Sequence, residues 1–292
     1  MKILFDHSIF LHQCKGGISK YICNLNNELN KKKVNSYIFA PISINDHLQN
    51  QKNKINFIKL KKIPKGFTKI FYAINNLLTI LYIFLKQPDV IHLTYYNNHL
   101  SKIYKRKYYL TVHDLIYEQY FKNFKNKLPI INSKFIFCIS KNTEKNLNKI
   151  YKIKNTKTSV IYHGSNHANK TNLKRENTIL FVGGRSRYKN FKLFAKAYSI
   201  SKKINNNFGI TVLGPDPFSI DEINFLRKLK IEKKVNYFNA DDISINKFYR
   251  KCALLVYPSN LEGFGLPPLE AMTEKCPVVL SNINVHKEIY KN

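Results

Sequence analysis

Apolar positions along the chain follow two patterns: short apolar runs alternate with longer segments whose apolar residues recur at helical spacing. The short runs are rich in β-branched and aromatic residues and are bounded by Asn, Asp, Pro, Gly or His. In the first half they predict strands at Lys2–Phe5, Ser36–Phe39, Asn56–Lys59, Val90–Leu93, Tyr108–Val112, Phe135–Ile139 and Ser159–Tyr162. Helices are predicted between them at Ile18–Asn30, Phe67–Leu85 and Thr143–Tyr151. Strand–helix–strand units at this spacing call for a parallel sheet with helices on both faces.

The pattern restarts after a polar, non-periodic segment, His167–Asn177, which we interpret as a linker. Further strands are predicted at Thr178–Val182, Ile210–Leu213, Val235–Phe238, Leu254–Tyr257 and Val278–Ser281. Helices are predicted at Phe191–Lys203, Asp221–Lys230, Ser244–Lys251 and Pro267–Thr273. A length of 292 residues agrees with two domains, residues 1–170 and 171–292. Ligands of open α/β sheets bind beyond the carboxyl ends of strands, so functional residues should follow strands directly.

The most apolar stretch is Ile70–Leu85, which is 16 residues long and contains Asn75 and Asn76. A helix that crosses a bilayer needs roughly 20 apolar residues, so we predict a buried or interfacial helix here. The chain start, where Asp6 closely follows the first apolar run, does not resemble a signal peptide.

The chain is strongly basic, with 49 Lys and Arg, 18 Asp and Glu, and a formal net charge of +31. Most of the basic residues are Lys, and Asn, Ile, Tyr and Phe are also abundant, so biased composition accounts for part of the charge. The excess is uneven, however: residues 1–170 hold 29 Lys and Arg against 7 Asp and Glu. Net charge bears on partners rather than on fold. An anionic partner for the first half therefore stands beside the compositional explanation.

Cysteine spacing and acidic spacing favour neither disulfides nor a metal. The five Cys are widely spread and none forms a C-x-x-C pair, which argues against a disulfide framework and against structural zinc. A reducing cytoplasm is the expected setting. No D-x-D pair follows a predicted strand, and Asp241-Asp242 is interpreted as a turn and helix cap. We therefore expect no metal site.

Residues 259–272, SNLEGFGLPPLEAM, carry the strongest functional signal and directly follow the predicted strand Leu254–Tyr257. The two glycines that flank Phe264 let the backbone approach a ligand closely. The two prolines suit the first turn of a helix, whose N-terminus would favour a phosphate. Glu262 and Glu270 could reach different hydroxyls of one ligand lying along the loop. The alternative is a tight turn with solvated carboxylates.

This segment resembles the E-x7-E motif of retaining glycosyltransferases of family 4, which have the GT-B fold. Other motifs resemble family elements in the same order: GGISKY at 16–21, HDL at 113–115, SKNT at 140–143, VIYHG at 160–164 and FVGGRSRYKN at 181–190. The ordered set extends over nearly the whole chain and is more specific than any single motif. It is similar to the mannosyltransferase-like members.

The resemblance implies an α/β GT-B fold of two Rossmann-like doubly wound domains that face a cleft. Residues 1–170 would bind the acceptor and residues 171–292 the nucleotide-sugar donor. The catalytic residues that it implies are His113, which would contact the transferred sugar, and Glu262, which would hold the sugar hydroxyls. Glu270 would hold the ribose of the donor. The donor-binding residues it implies are Gly16, Gly17, Arg185, Lys189, Gly263, Phe264, Gly265, Leu266 and Glu270.

Arg185 and Lys189 also stand out on chemical grounds, because they follow the first predicted strand of the second half. Arg can bind two phosphate oxygens at once, and Lys adds a point charge. Solvated side chains in a Lys-rich chain are the alternative. Arg187 lies close by, but the family arginine aligns better with Arg185.

Other residues of these motifs have structural explanations. A lone His such as His113 is more often structural than catalytic, and Asp114 suits a cap for the following turn. Ser140 suits a helix cap. His163 departs from the family, which usually has Asn there, and receives no role.

The activity implied is transfer of a hexose, with mannose favoured, from a nucleotide-diphosphate sugar such as GDP-mannose or a UDP-hexose. The anomeric configuration is retained, and no cofactor beyond this donor is expected. The acceptor would be a glycan or a lipid-linked intermediate of envelope polysaccharide or lipopolysaccharide. Lysines around the helix near Phe67, namely Lys59, Lys61, Lys62, Lys65 and Lys69, suit anionic headgroups. A cytoplasmic protein, peripheral on the inner membrane face, is expected.

The sequence ends at Asn292, where family members continue, so an incomplete C-terminal domain is expected. Two alternatives stay open. One is a truncated, catalytically inactive homologue that acts as a binding subunit. The other is a basic nucleic-acid-binding protein, which is disfavoured because no basic stripe with stacking aromatics stands out. A GT-B-like epimerase fits the motif set less well.

Overall fold

The computed structural model describes residues 1–120, 127–153, 157–165, 174–185, 187–239 and 242–290. The chain divides into two units, Met1–Tyr162 and His163–Asn292. The boundary expected at 170/171, and most of the predicted linker His167–Asn177, lie outside the described residues. The last two residues of that linker instead begin a strand at Glu176.

The first unit holds nine strands and seven α-helices among its described residues. The strands are β1 (Lys2–Phe5), β2 (Asn35–Phe39), β3 (Ile42–Ser43), β4 (Lys54–Ile55), β5 (Ile58–Lys59), β6 (Val90–Leu93), β7 (Tyr108–Val112), β8 (Phe135–Cys138) and β9 (Thr158–Val160). The helices are α1 (Ser8–His12), α2 (Gly17–Lys31), α3 (Thr68–Lys86), α4 (Asn98–Ile103), α5 (Ile116–Tyr120), α6 (Lys127–Asn132) and α7 (Lys141–Tyr151). Seven strands form one parallel sheet in the order β4-β2-β1-β6-β7-β8-β9, and β3 pairs with β5.

The second unit is a smaller version of the same architecture. Its strands are β10 (Glu176–Val182), β11 (Gly209–Leu213), β12 (Val235–Phe238), β13 (Cys252–Tyr257) and β14 (Val278–Leu280). Its helices are α8 (Phe191–Ile200), α9 (Lys202–Asn207), α10 (Ile220–Lys228), α11 (Asp242–Lys251), α12 (Leu266–Thr273) and α13 (Asn284–Tyr290). The parallel sheet has the order β12-β11-β10-β13-β14. The predicted α/β class with parallel sheets is confirmed.

Strand order reverses once in each sheet, and this places the candidate sites. In the first sheet the reversal lies between β1 and β6, and in the second between β10 and β13. At such a switch point the two following loops leave the sheet on opposite faces and open a crevice beyond the strand ends. The loops after these four strands are therefore where ligand-binding residues are expected.

The caps predicted at Ser140 and Asp114 are confirmed. Each side chain accepts a hydrogen bond from a backbone N–H group at a helix start, where the helix itself supplies no acceptor. The Ser140 hydroxyl accepts a hydrogen bond from the Thr143 N–H at 3.0 Å at the start of α7. The Asp114 carboxylate accepts one from the Ile116 N–H at 3.1 Å. Asp242 is the first residue of α11, whereas Asp241 lies outside the described residues. All five cysteines are free thiols, as their spacing predicted.

One helix that periodicity predicted was wrong, and the long apolar helix of the first unit was predicted correctly. The single helix predicted over Phe191–Lys203 is two helices, because Ser201 adopts an extended conformation between them. The helix predicted over Phe67–Leu85 is confirmed as α3, which has 19 residues. In the part of the chain that the structure describes, α3 alone has the length and apolar composition of a membrane span, with 22% of that span buried.

Candidate functional site

The switch point of the second sheet brings Lys189 and Glu262 into contact. Lys189 lies in a 3₁₀ turn after β10, and Glu262 lies in the loop between β13 and α12. The Lys189 Nζ is 2.5 Å from the Glu262 Oε1, and their side chains are only 15% and 8% exposed. These two predicted site residues therefore form one mostly buried ion pair.

Tyr257, the last residue of β13, completes a triangle with this pair. Its hydroxyl accepts a hydrogen bond from the Lys189 Nζ at 3.1 Å and also hydrogen-bonds Glu262. Burial and the nearby Glu262 charge raise the pKa of Tyr257 well above its ordinary value, so the phenol stays protonated. An ammonium has three N–H groups, and the described contacts of Lys189 use two of them. The third can bind an anionic ligand.

Asn190 ties together the two loops that carry the ion pair. It has a left-handed backbone with φ of 57°, which Asn tolerates better than most residues. Its Nδ2 donates to the Pro258 carbonyl at 2.8 Å and to the Asn260 Oδ1 at 2.7 Å. The Asn260 N–H in turn donates to the Tyr188 carbonyl at 2.8 Å. These bonds hold Lys189 opposite Glu262.

The glycine turn before α12 is closed by a side chain from α13. Gly265 has a φ of 94°, a left-handed conformation that favours glycine. The Tyr290 hydroxyl donates to the Gly265 carbonyl and is hydrogen-bonded by the Leu269 N–H. Because the two prolines of this helix start have no N–H, the groups left in its first turn to meet an anion are those of Gly265 and Leu266.

Phe264 is buried, so its side chain supports the loop. Its ring packs edge-on against His163, with the ring centroids 5.0 Å apart. Burial lowers the pKa of His163 to about 4, and the imidazole is therefore neutral at ordinary pH. The residue that departs from the family thus packs against Phe264, the residue between Gly263 and Gly265.

His286 is a site residue that the sequence did not reveal. It lies in α13, a helix that the pattern did not predict, and its Nδ1 is 3.0 Å from the Ser281 carbonyl. Its buried Nε2 lies near Gly265 and has no hydrogen-bond partner among the described residues. Burial lowers the pKa of His286, which keeps the ring neutral. The structure therefore leaves a polar ring nitrogen facing the glycine turn.

Arg185 is engaged by partners other than Lys189 and Glu262. Its guanidinium contacts the Glu222 carboxylate at 2.7 and 3.1 Å. It also donates to the carbonyls of Asp216 and Pro217 and stacks on Phe218. Burial would raise the pKa of Glu222, but the bonds from Arg185 hold it below its ordinary value. A diphosphate contact from Arg185 stays a prediction, and the Arg187 side chain lies outside the described part.

Glu270 also has a structural partner. It lies in α12 and accepts a hydrogen bond from the Tyr249 hydroxyl of α11 at 3.1 Å. The described contacts do not join it to Lys189 or Glu262, so its proposed contact with a ribose stays a prediction.

In the first unit, the GGISKY motif (16–21) and the HDL motif (113–115) are in contact. Gly16 is extended, and Gly17 begins α2. The half-buried His113 follows β7, and its ring packs edge-on against Tyr21 of α2 at 5.0 Å between centroids. These two predicted elements thus share one edge of the first sheet.

A cavity of about 710 Å³ lies in the first unit, beside α3 and the carboxyl ends of β1 and β6. Its aromatic lining consists of His12, Tyr72, Tyr95, Tyr96, His99 and Tyr117. At this switch point the buried Asp6 carboxylate binds the Thr94 N–H at 2.6 Å and the Thr94 hydroxyl at 2.8 Å. The sequence pattern did not reveal this cavity, although Tyr95 and Tyr96 follow β6 directly, where ligand-binding residues of such sheets are expected.

Two family models match the chain and together extend over most of it. The model described as Glycosyltransferase Family 4 matches residues 15–169, and the model described as Glycosyl transferases group 1 matches residues 165–292. The region matched by the Glycosyltransferase Family 4 model is more than half of the chain.

Two curated relatives are named as mannosyltransferases. The O-antigen chain mannosyltransferase RfbU of Salmonella typhimurium is 31% identical over 196 residues, which is 63% of this chain and 54% of that protein. The serotype-specific mannosyltransferase WbdA of Escherichia coli is 32% identical over 88 residues, 28% of this chain and 11% of that protein. The chain thus spans about half the length of the first relative and about a tenth of the second.

Solved structures share the fold at low sequence identity. WaaG, titled a glycosyltransferase involved in lipopolysaccharide biosynthesis, has a TM-score of 0.67 at 11% identity, with 97% of this chain and 81% of that chain covered. S. aureus TarM, in complex with UDP and other ligands, has a TM-score of 0.75 at 12% identity, covering 97% and 86%. A glycosyltransferase from Rickettsia africae has a TM-score of 0.67 at 18% identity, covering 100% and 82%. The predicted GT-B fold is confirmed.

Proposed function

Because the chain belongs to glycosyltransferase family 4, we propose that it transfers a hexose from a nucleotide-diphosphate sugar to a glycan or lipid-linked acceptor. Mannose is favoured, since the relatives RfbU and WbdA are named mannosyltransferases. The observation that carries the proposal is the buried Lys189–Glu262 pair at the switch point of the second sheet. The names of RfbU and WaaG support a role in O-antigen or lipopolysaccharide synthesis.

The donor diphosphate would lie against the glycine turn and Lys189. The ammonium of Lys189 and the N–H groups of Gly265 and Leu266 are the positive groups available there. As the bond to the sugar breaks, negative charge grows on the departing diphosphate. Positive groups fixed in advance stabilise that charge more in the transition state than in the ground state.

Glu262 would orient the sugar ring. A carboxylate offers about four lone-pair positions, so Glu262 can keep its bond to Lys189 and still accept hydroxyl groups. Tyr257 restrains the carboxylate from the sheet side, because its hydroxyl hydrogen-bonds Glu262. A positioned carboxylate of this kind would select the hydroxyl pattern of the hexose.

The proposed reaction retains the anomeric configuration by attack on the face from which the diphosphate leaves. The bond from the anomeric carbon to the diphosphate oxygen breaks as the bond to the acceptor hydroxyl oxygen forms. The hydroxyl proton passes to the departing diphosphate oxygen. The donor is therefore a substrate and supplies the proton acceptor as well as the sugar.

The aromatic cavity of the first unit is the proposed acceptor site. Its tyrosine rings offer flat apolar faces for sugar rings, and their hydroxyls offer hydrogen bonds. A volume of about 710 Å³ is in the range of ordinary ligand sites.

A donor screen with Glu262→Gln tests the proposal. GDP-mannose or a UDP-hexose at 100 times its dissociation constant should stabilise the native chain by about 2.7 kcal/mol. Removal of the carboxylate charge should lower sugar transfer on the order of 100-fold. The control is Glu232→Gln, which alters an exposed carboxylate paired with Arg227.

Three outcomes separate the alternatives. Donor binding with transfer that Glu262→Gln reduces supports the proposal. Donor binding without transfer to any acceptor favours an inactive homologue that acts as a binding subunit. If no nucleotide sugar raises the melting temperature and none is consumed, the proposal is wrong.

A further inference from the structure

Helix α3 buries three polar side chains, those of Asn75, Asn76 and Thr79. Asn75 hydrogen-bonds both the N–H and the carbonyl of Ile42, at 3.0 and 2.9 Å. Asn76 accepts a hydrogen bond from the Asn97 side chain at 2.8 Å, and the Thr79 hydroxyl is 2.9 Å from the His7 ring. The face that α3 turns toward its own unit is therefore fixed by specific hydrogen bonds.

The opposite face of α3 is apolar and uncovered. Its exposed large apolar residues are Ile70, Ile74, Leu77, Leu81, Phe84 and Leu85, here called the outer stripe. From Ile70 to Phe84 they recur at intervals of three or four residues, the spacing of one helix face, and Leu85 follows Phe84 directly. All six are between 40% and 76% exposed. A surface helix of a soluble protein has the reverse arrangement. A contiguous exposed apolar surface of this kind marks an interaction site.

Lysines accompany the outer stripe, and the neighbouring sequence supplies no acid. Residues 47–88 contain eight Lys and no Asp or Glu. Lys59 is paired with Asp46 at 2.7 Å. Five others are exposed at the helix ends or in the segment before it, Lys61, Lys62, Lys65, Lys69 and Lys86. The surface therefore combines an apolar stripe with positive charge.

We infer that the outer stripe and these lysines dock the first unit on an anionic lipid surface. An apolar helix face sinks into the boundary between headgroups and acyl chains, while Lys side chains reach anionic headgroups. Charge complementarity selects this occupant, because a second copy of α3 would bring lysines against lysines.

The buried face decides how α3 lies on the membrane. A helix of 19 residues is about 28 Å long, close to the thickness of the hydrocarbon core. To span the bilayer, α3 would have to leave its bonds to Ile42, Asn97 and His7 and expose their polar groups to lipid. Such groups are costly in hydrocarbon. The helix therefore lies in the plane of the interface.

The docked orientation would also place the aromatic cavity beside the lipid. Lys69, Ala73 and Leu77 line the cavity and lie on or beside the outer stripe. If the proposed function holds, an acceptor carried on a lipid could keep its chain in the bilayer and its sugar in the cavity. This consequence rests on the proposed function, whereas membrane docking does not.

Vesicle sedimentation tests the docking. The native chain should bind phosphatidylcholine vesicles that contain phosphatidylglycerol, and bind pure phosphatidylcholine vesicles far more weakly. Leu81→Gln with Phe84→Gln should weaken binding on the order of 100-fold, because two large apolar side chains no longer enter the interface. The matched control is Ile200→Gln with Ile220→Gln, which changes residues 82% and 78% exposed in the second unit and should leave binding unchanged.

A charge variant separates the two parts of the surface. Lys61→Gln, Lys62→Gln and Lys65→Gln together should reduce binding to anionic vesicles on the order of 100-fold, at about fivefold for each lysine. Their effect should shrink as salt rises. Binding to neutral vesicles should not change.

Each result decides for or against the docking. The inference fails if the native chain does not sediment with anionic vesicles at low salt, or if the stripe variant binds as the native chain does. It also fails if sedimentation velocity shows a dimer that Leu81→Gln with Phe84→Gln dissociates, since the partner is then a second copy. The rise in melting temperature that the donor causes should be the same in these variants as in the native chain. This measurement separates a failure of docking from a failure of the proposed function.

Discussion

The Nζ of Lys189 and the Oε1 of Glu262 lie 2.5 Å apart although 73 residues separate them in the chain. The two side chains meet because β10 and β13 are neighbours at the point where strand order reverses. Each belongs to a different motif of the family pattern. Their contact joins two motifs that are separate in the sequence, and it places a cation beside a restrained carboxylate.

Replacing Lys189 should destabilise the second unit. Lys189→Met leaves the Glu262 carboxylate in a site where it is only 8% exposed and without its cation. Removal of one partner of a buried pair costs about 3 kcal/mol. The free energy of unfolding, measured by urea denaturation, should fall by about that amount. Lys251→Met, which breaks an exposed pair with Glu176, is the matched control and should change it by less than about 1 kcal/mol.

Arg185 provides a test between a structural and a donor-binding role. Because Glu222 and two carbonyl groups engage its guanidinium, Arg185→Gln should lower the free energy of unfolding by about 3 kcal/mol. Arg227→Gln, which affects an exposed pair with Glu232, should have no measurable effect. A stable Arg185→Gln chain that binds the donor poorly would contradict the structural role and support the diphosphate contact.

Gly265→Ala should strain the turn before α12. A left-handed conformation costs a residue with a Cβ roughly 1–2 kcal/mol, and the new atom would lie 3.4 Å from the Tyr290 hydroxyl. We expect the free energy of unfolding to fall by that amount and donor-induced stabilisation to fall with it. Gly184→Ala meets open space at an unstrained backbone and serves as the control. Equal effects of the two substitutions would exclude a special role for the turn.

Buried histidines should make the protein lose stability in mild acid. Burial lowers the pKa of His163 to about 4, whereas an unfolded chain has the ordinary value of 6.5. Between these values the unfolded state binds the proton first, so stability falls as pH drops from about 6.5 to 4.

His163→Asn should reduce that slope by up to about 1.4 kcal/mol per pH unit within the window. Urea denaturation at a series of pH values measures it. At pH 8 the imidazole is neutral in both states, so the slopes of the native chain and the variant should agree there. An unchanged slope between pH 4 and 6.5 would show that His163 takes up its proton in the folded state.

The local sequence determined the strands, the helix caps and the order of the motifs. Strands β1, β6, β7 and β12 have the predicted ends, because apolar runs between turn-forming residues act over a few neighbours. The Ser140 cap is also a local interaction, over three residues. The parallel α/β class followed from the alternation of these elements, and the family resemblance followed from the motif order.

Tertiary structure alone decided which side chains meet. The capture of Arg185 by Glu222 and the approach of His286 to Gly265 join elements that are distant in sequence. The sequence also left open which face of α3 is buried. Asn75 and Asn76 lie on the buried face because they form hydrogen bonds with Ile42 and Asn97, which are distant in sequence. Periodicity reports which residues share a helix face, but the partners available in the fold determine whether that face is covered. Strand order sets those partners, and it is a property of the whole sheet.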